Sequence, residues 1–387
     1  MSTRETRPPF PFVTFLLVPD ILLALALALD LPKRTRVAFF VVFALVCYQG
    51  LQYTTGDKMQ DYSMGSTIGG QFFTALHLLL LAEPIRHYRH FSDHDDPSTR
   101  SLFKKVYWTA CIIHSPRGIG WNYQVCFRLY SSASSLSPLD GQTPYVPDRP
   151  TIQRGFFIVT RTIRAVACLL IMDAAQVFIH TNPLFSGSTT GKASIASQGI
   201  LYRCLNIMCW MSTPHAGVRM QYYQISAFSV ALGFSTPADW PDPFGDWSAA
   251  YTVRNLWGRT WHQMMRRYLS EIGKTVTQFV GFKKGSLFSS YTQLLVGFIV
   301  SGMMHSFGDA MVLGIIAEDT VIGIASRLGK RPPKEISRTL GYVWVFSWSM
   351  ISFPLYIDWA VAAGLGSCKI LPFSPIRTML GLFEKSL

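Results

Sequence analysis

Charge is what this chain has least of. Only 15% of its 387 residues are charged, against 49% hydrophobic, where a soluble domain of ordinary make-up carries about 25% charged residues to keep its surface wetted. That shortage excludes an ordinary soluble fold. Paired cysteines are missing as well. The seven cysteines, at 47, 111, 126, 168, 204, 209 and 368, form no C-x-x-C and mostly sit in apolar stretches. The pattern argues against a zinc site or a disulfide framework and for buried, inert thiols. No G-x-S-x-G is present, so a serine-hydrolase elbow is not indicated. The absence of a P-loop and of G-x-G-x-x-G disfavours nucleotide hydrolysis and dinucleotide redox chemistry, and without H-E-x-x-H a zinc protease has no support.

What the chain does have is apolar length. A span needs about 20 mostly apolar residues. Phe12 to Leu29, Val37 to Tyr53, Tyr62 to Ala82, Phe156 to Phe178, Leu287 to Met304, Met311 to Ile324 and Leu340 to Ala363 are candidates. Ile195 to Met211 and Ala216 to Phe234 are weaker ones, separated by Pro214. The expectation is an all-α, polytopic integral membrane protein of about eight or nine spans, forming a single membrane domain over residues 1–387. Two polar regions interrupt the spans: a loop over 86–154 with a serine-rich stretch at Ser131 to Ser137, and a Trp-, Arg- and His-rich segment over 237–284. The aromatic share of 14% fits a chain with interfacial Trp and Tyr. The formal net charge of +13 falls mostly on residues flanking apolar runs, where it faces anionic lipid headgroups and sets orientation. It places the 33–36 and 86–105 loops on the cytoplasmic side. With no basic stripe and no RNA-binding signature, nucleic acid is not an expected partner.

Three strings could carry chemistry. In the first, Arg254-Asn255-Leu256-Trp257-Gly258-Arg259-Thr260-Trp261-His262-Gln263, two tryptophans four apart would share a helix face. Arg254 and Arg259 could meet an anion and His262 could act as acid, base or donor; equally, the string could be an interfacial anchor. The second is Ser301-Gly302-Met303-Met304-His305-Ser306-Phe307-Gly308-Asp309. His305 ends a run that is apolar from Leu294 apart from Ser301, and an ionisable residue at membrane depth is a functional-site hypothesis by default. If the helix of 287–309 continues past Gly308, Asp309 lies one turn on and could orient the ring. The third, His90-Phe91-Ser92-Asp93-His94-Asp95-Asp96, could bind a metal or a diphosphate, or serve as the D-x-D-D acid of a terpene cyclase, but reads better as a solvated loop. Arg161, Arg164 and Asp173, with Glu318 and Asp319, lie in apolar company and leave a small-molecule transporter open.

Together these strings resemble the wax-synthase-like branch of the membrane-bound O-acyltransferase (MBOAT) family. Trp240-Pro241-Asp242-Pro243-Phe244-Gly245, then Ala250-Tyr251-Thr252-Val253-Arg254, then Leu256 to Gln263 match that branch's signature in order and spacing, and Ser301-Gly302 through His305 matches its buried-histidine segment. Arg117-Gly118-Ile119-Gly120-Trp121-Asn122 is similar to a further element of the branch. The resemblance implies an all-helical membrane fold with a buried reaction chamber, and transfer from acyl-CoA to a hydroxyl. It places the general base at His305 and a second active polar position at His262, where many relatives outside the branch carry Asn. The expected substrate contacts are Arg254, Asn255, Trp257, Arg259, Trp261, Gln263 and Asp309, with no metal. Leu256 stands where relatives usually have Phe. Length and composition resemble fungal members that acetylate secondary metabolites, which implies acetyl-CoA as cosubstrate, no tightly bound cofactor, an apolar alcohol as acceptor, membrane lipids as surroundings and the endoplasmic reticulum as location.

Overall fold

A computed structural model describes residues 7–123, 150–186, 193–313, 334–379 and 381. The described residues are helical, with two isolated bridges and no strand. In chain order the α-helices are α1 (Val18–Ala28), α2 (Lys33–Gly50), α3 (Lys58–Leu76), α4 (Pro84–His87), α5 (Leu102–Ile113), α6 (Arg154–Thr181), α7 (Ile200–Leu232), α8 (Val253–Asn255), α9 (Arg266–Phe279), α10 (Leu287–Leu313), α11 (Lys334–Ala362) and α12 (Pro375–Met379). Single π-helical turns extend the ladder at Val13–Leu17, His77–Leu81 and Leu256–Thr260.

Four described stretches are long and apolar enough to cross a bilayer: Lys58–Leu81, Arg154–Thr181, Leu287–Leu313 and Arg338–Ala362, with Val13–Ala28 a shorter apolar segment. These meet the length rule at fewer places than the eight or nine expected. Two expectations change in detail. The weak candidates on either side of Pro214 are one helix, α7. Proline removes the amide that would bond the carbonyl one turn back, and the Thr213 hydroxyl donates to that Trp210 carbonyl at 2.8 Å instead. The 86–154 region is not all loop, since α5 lies within it. The Ser131 to Ser137 stretch, Glu318, Asp319 and most of the Met311 to Ile324 candidate fall outside the described residues.

By contact the chain divides into two compact units, 1–145 with 262–329, and 146–261 with 330–387. In the first, α10 lies along α3 on a seam of glycines. A Cβ on Gly69 would stand 2.7 Å from the Met304 carbonyl oxygen, and one on Gly308 would stand 2.7 Å from that of Tyr62. Only residues without side chains allow such backbone approach, the small-residue logic of membrane helix pairs. On α10's other flank α9 packs through a cluster of Phe73, Tyr268, Val300 and Met304, with Met265 against it. The buried Arg267 follows, and its guanidinium donates to the carbonyls of Ile112, Ile113 and Ser115 at the end of α5. These are the orphan acceptors every helix C-terminus must satisfy.

In the second unit α6 and α7 run antiparallel, as two contacts at opposite ends require: Arg154 donates to the Ala231 carbonyl, and the Asn182 amide donates to Asn206. The chain after α11 returns to α6, where the Gln176 side chain accepts from the amides of Ile370 and Leu371, and the Asp173 carboxylate accepts from Ile376.

Candidate active site

His305 sits in the middle of α10, which continues unbroken through Gly308. It is half-buried, between the buried Met304 and the glycine seam. Its Nδ1 lies 3.2 Å from the hydroxyl of Tyr62 on α3, with the two rings stacked at 11° and 6.3 Å between centroids. No other hydrogen bond to the imidazole occurs among the described residues, so Nε2 is uncommitted. Asp309 is one turn along and 1% exposed, but the ring's partner is Tyr62. The sequence offers no local signal for that residue, because 243 positions separate it from His305.

The signature string is only partly helical. Its π-turn closes with a Trp261 amide bond to the Leu256 carbonyl, and Trp261 then turns extended at ψ 154°. Trp257 and Trp261 do touch, edge to face at 5.6 Å. Gln263, however, is off the helix that carries Arg259, and His262 stands in the break before α9. The division between the two units falls between Trp261 and His262. On the first unit's side, Met265 anchors the segment after His262 to the cluster that contains Met304, the neighbour of His305. The Gln263 side-chain oxygen Oε1 accepts from the Arg266 guanidinium at 2.8 Å, which leaves the side-chain nitrogen facing away from Arg266.

On the second unit's side, the Trp240–Gly245 loop folds onto the π-turn: the Gly245 amide donates to the Thr260 carbonyl at 2.9 Å, and the fully buried Thr260 hydroxyl donates to that of Asp246. Asp242 holds the loop to α6. Its carboxylate accepts from Arg161 at 2.9 Å, from the Tyr223 hydroxyl at 2.9 Å and from Arg164 at 3.4 Å. Arg161 is 3% exposed, donates also to the Trp240 carbonyl, and lies between the rings of Phe157 and Tyr223. Burial pushes the Asp242 pKa up, but Arg161, the Tyr223 hydroxyl and Arg164 outweigh it and hold the carboxyl below its ordinary value. Asn255 is buried under the N-cap of Thr252, Arg259 is half-buried and Arg254 is exposed.

The competing constellations are occupied with structure. Asp93 accepts from the His90 amide, Arg100 and the Trp108 indole. Burial raises its pKa, and these bonds outweigh it, so the carboxyl stays below its ordinary range and is a poor proton donor for a cyclase. Asp96 caps the turn at Ser98 and pairs with Arg89. His90 and His94 have H-x-x-x-H spacing, but on a turn, where it does not align them on one face. The His90 ring packs on Trp121, and the Arg117-to-Asn122 element pairs with this turn through the Gly120 carbonyl and Asn122 amide. No group of three His, Cys, Asp or Glu among the described residues is placed to hold a metal. Arg161, Arg164 and Asp173, the residues a transporter would need along a path, anchor the Trp240–Gly245 loop and the chain end instead.

Known proteins resemble this chain in sequence. Residues 240–326 match the model of the membrane bound O-acyl transferase family, and residues 153–231 match that of the aspirochlorine biosynthesis protein F C-terminal domain. The chain is 28% identical to acetyltransferase ple2 of Rhodocybe pseudopiperita, over 97% of both chains. It is 26% identical to acetyltransferase eriL of Hericium erinaceus over 90% of both, and 25% identical to acetyltransferase sirH of Emericella nidulans, over 71% of this chain and 64% of that one. No solved structure matches.

Proposed function

We propose that this chain, MBOAT-like in its signature segment and similar nearly end to end to fungal acetyltransferases, is a membrane acyltransferase that moves an acetyl group from acetyl-CoA to a hydroxyl of an apolar secondary metabolite. A terpenoid alcohol suits the chemistry as acceptor, the endoplasmic reticulum suits it as location, and acetyl-CoA enters as cosubstrate with no tightly bound cofactor. The observation that carries the reading is His305, an imidazole in an apolar span with one nitrogen engaged by Tyr62 and the other uncommitted.

An alcohol is a poor nucleophile until a base takes its proton during attack. With Nδ1–H donated to the Tyr62 oxygen, His305 presents the Nε2 lone pair to the incoming hydroxyl. The alcohol oxygen bonds to the thioester carbonyl carbon as its proton passes to Nε2. The oxyanion formed needs a preorganised donor, a role that falls to His262 or the Gln263 amide. Collapse breaks the carbon–sulfur bond, and the thiolate leaves with the proton from the imidazolium, which restores the neutral base. Apolar surroundings keep out the water that would otherwise hydrolyse the thioester. Arg254 and Arg259 are assigned to the cosubstrate's charged end, and the Trp257 and Trp261 rings to its apolar parts.

The test is His305→Ala in purified, full-length protein, assayed with radiolabelled acetyl-CoA and a panel of terpenoid alcohols. Transfer should disappear while expression and folding persist. Turnover near that of the native chain would remove His305 from its assigned role.

A further inference from the structure

Arg219, a half-buried arginine of α7, has no counter-charge among the described residues. Among the described residues its guanidinium makes no hydrogen bond and no ion pair, and its Nε is wholly out of contact with water. What it does meet is the ring of Phe244, in a cation–π contact 5.6 Å from the centroid. That contact offsets part of the cost of desolvating a cation but satisfies none of its donors. Asp242 is already held by Arg161, Arg164 and Tyr223. Two guanidinium groups therefore already pair with that carboxylate, and Arg219 is not one of them.

One turn before Arg219, and so on the same face of α7, His215 repeats the pattern. Neither ring nitrogen has a partner among the described residues, and Nε2 is buried. Three aromatic rings from the 237–284 segment stand around it: Phe244 at 4.2 Å, Trp247 at 5.8 Å and Trp261 at 6.1 Å. A fixed cation and a hydrogen-bonding imidazole stand side by side beneath an aromatic wall, each with one buried nitrogen that has no partner among the described residues. A headgroup anchor would need neither the buried Nε nor the wall.

We infer that Arg219 and His215 form an anion subsite in the second unit, and that its ligand is the diphosphate of the acyl-CoA cosubstrate. A diphosphate oxygen pair matches the donor fork of a guanidinium, and the flanking rings suit the gem-dimethyl and methylene groups of the pantetheine arm. This rests on the acyltransferase reading for the identity of the ligand, not for the existence of the anion site.

Two measurements on the full-length protein in detergent decide it. In the first, acetyl transfer from acetyl-CoA, acetyl-dephospho-CoA and S-acetylpantetheine is compared between the native chain and Arg219→Gln. The native preference for both diphosphate-bearing donors over acetylpantetheine should shrink about tenfold in the variant, the scale of removing one charge-assisted bond. An equal loss with all three donors overturns the proposal. In the second, inorganic pyrophosphate and coenzyme A should raise the thermal midpoint of the native protein and not of Arg219→Gln, and pantetheine should raise neither. Equal stabilisation of both proteins by pyrophosphate overturns it, as does an Arg219-dependent response confined to phosphatidic acid in nanodiscs, which would assign the site to a lipid headgroup. Should Arg219→Gln not accumulate, His215→Gln carries the same two measurements. A native protein that binds pyrophosphate through Arg219 yet transfers nothing from acetyl-CoA would defeat the acyltransferase reading and leave the anion site standing.

Discussion

Replacing Tyr62 by Phe removes one oxygen and leaves the ring that stacks on His305 in place. The interaction removed is the 3.2 Å hydrogen bond to Nδ1, at the long end of the usual range. Before reaction it joins two neutral groups and is worth about 1 kcal/mol. As the imidazole takes up a proton the bond becomes charge-assisted and roughly doubles in strength. The difference, about 1–1.5 kcal/mol, exists only on the way to the transition state, and each 1.4 kcal/mol is about tenfold in rate. We therefore expect Tyr62→Phe to lower kcat about tenfold with KM for both substrates close to native, the mark of an interaction made only in the transition state. Steady-state kinetics on purified protein, at saturating acetyl-CoA and varied acceptor, measures both constants. A kcat within twofold of native would refute the positioning role. A loss carried entirely by KM would show that Tyr62 binds the acceptor instead of holding the base.

Further outcomes follow from the packing and the charges. Asp242→Asn strands the buried Arg161, and because the Asp242 side chain keeps 30% of its exposure the cost should fall near the low end for a broken buried pair, about 3 kcal/mol, read as a lowered thermal midpoint. Since the folded pKa of Asp242 is held below the ordinary 3.8, this stabilisation is fully present above that value and is lost as pH falls through the lower folded one. Melting curves from pH 6 downward should converge for native and variant, and a gap that persists at the acid end would exclude the linkage. Gly65→Ala puts a methyl into the backbone of Phe307, whereas Gly70→Ala, on the same helix, meets open space. The first should cost about 1–3 kcal/mol and lower folded yield, the second next to nothing, and equal midpoints for the two variants would mean that the seam can open.

The helical, membrane-spanning character was legible because apolar length and local period encode it, and the placement of His305 in an apolar run was plain in the string itself. What sequence could not supply was pairing across distance. Tyr62 meets His305 from 243 positions away, and Arg161 meets Asp242 from 81. Neither pairing leaves a trace in local spacing. Other differences come from side chains that mend or break the backbone ladder. Thr213 carries α7 through a proline that normally interrupts, and the π-turn at Leu256–Thr260 ends a helix that the Trp257–Trp261 spacing would prolong. Arg219 and His215 could have been noticed, because two polar residues four apart beside an apolar run form the pattern that made His305 stand out.

The arginine after the W-H-Q string has a practical consequence. Arg267 grips the terminal carbonyls of α5, and the Arg117-to-Asn122 stretch follows within a few residues, itself fastened to the turn at His90. The connection from 86 to 123 is therefore mechanically part of the helix that begins beside His262, and not slack chain. An epitope or a fluorescent tag inserted there would pull on α9 directly, and loss of activity in such a fusion would report on that tether before it reported on topology.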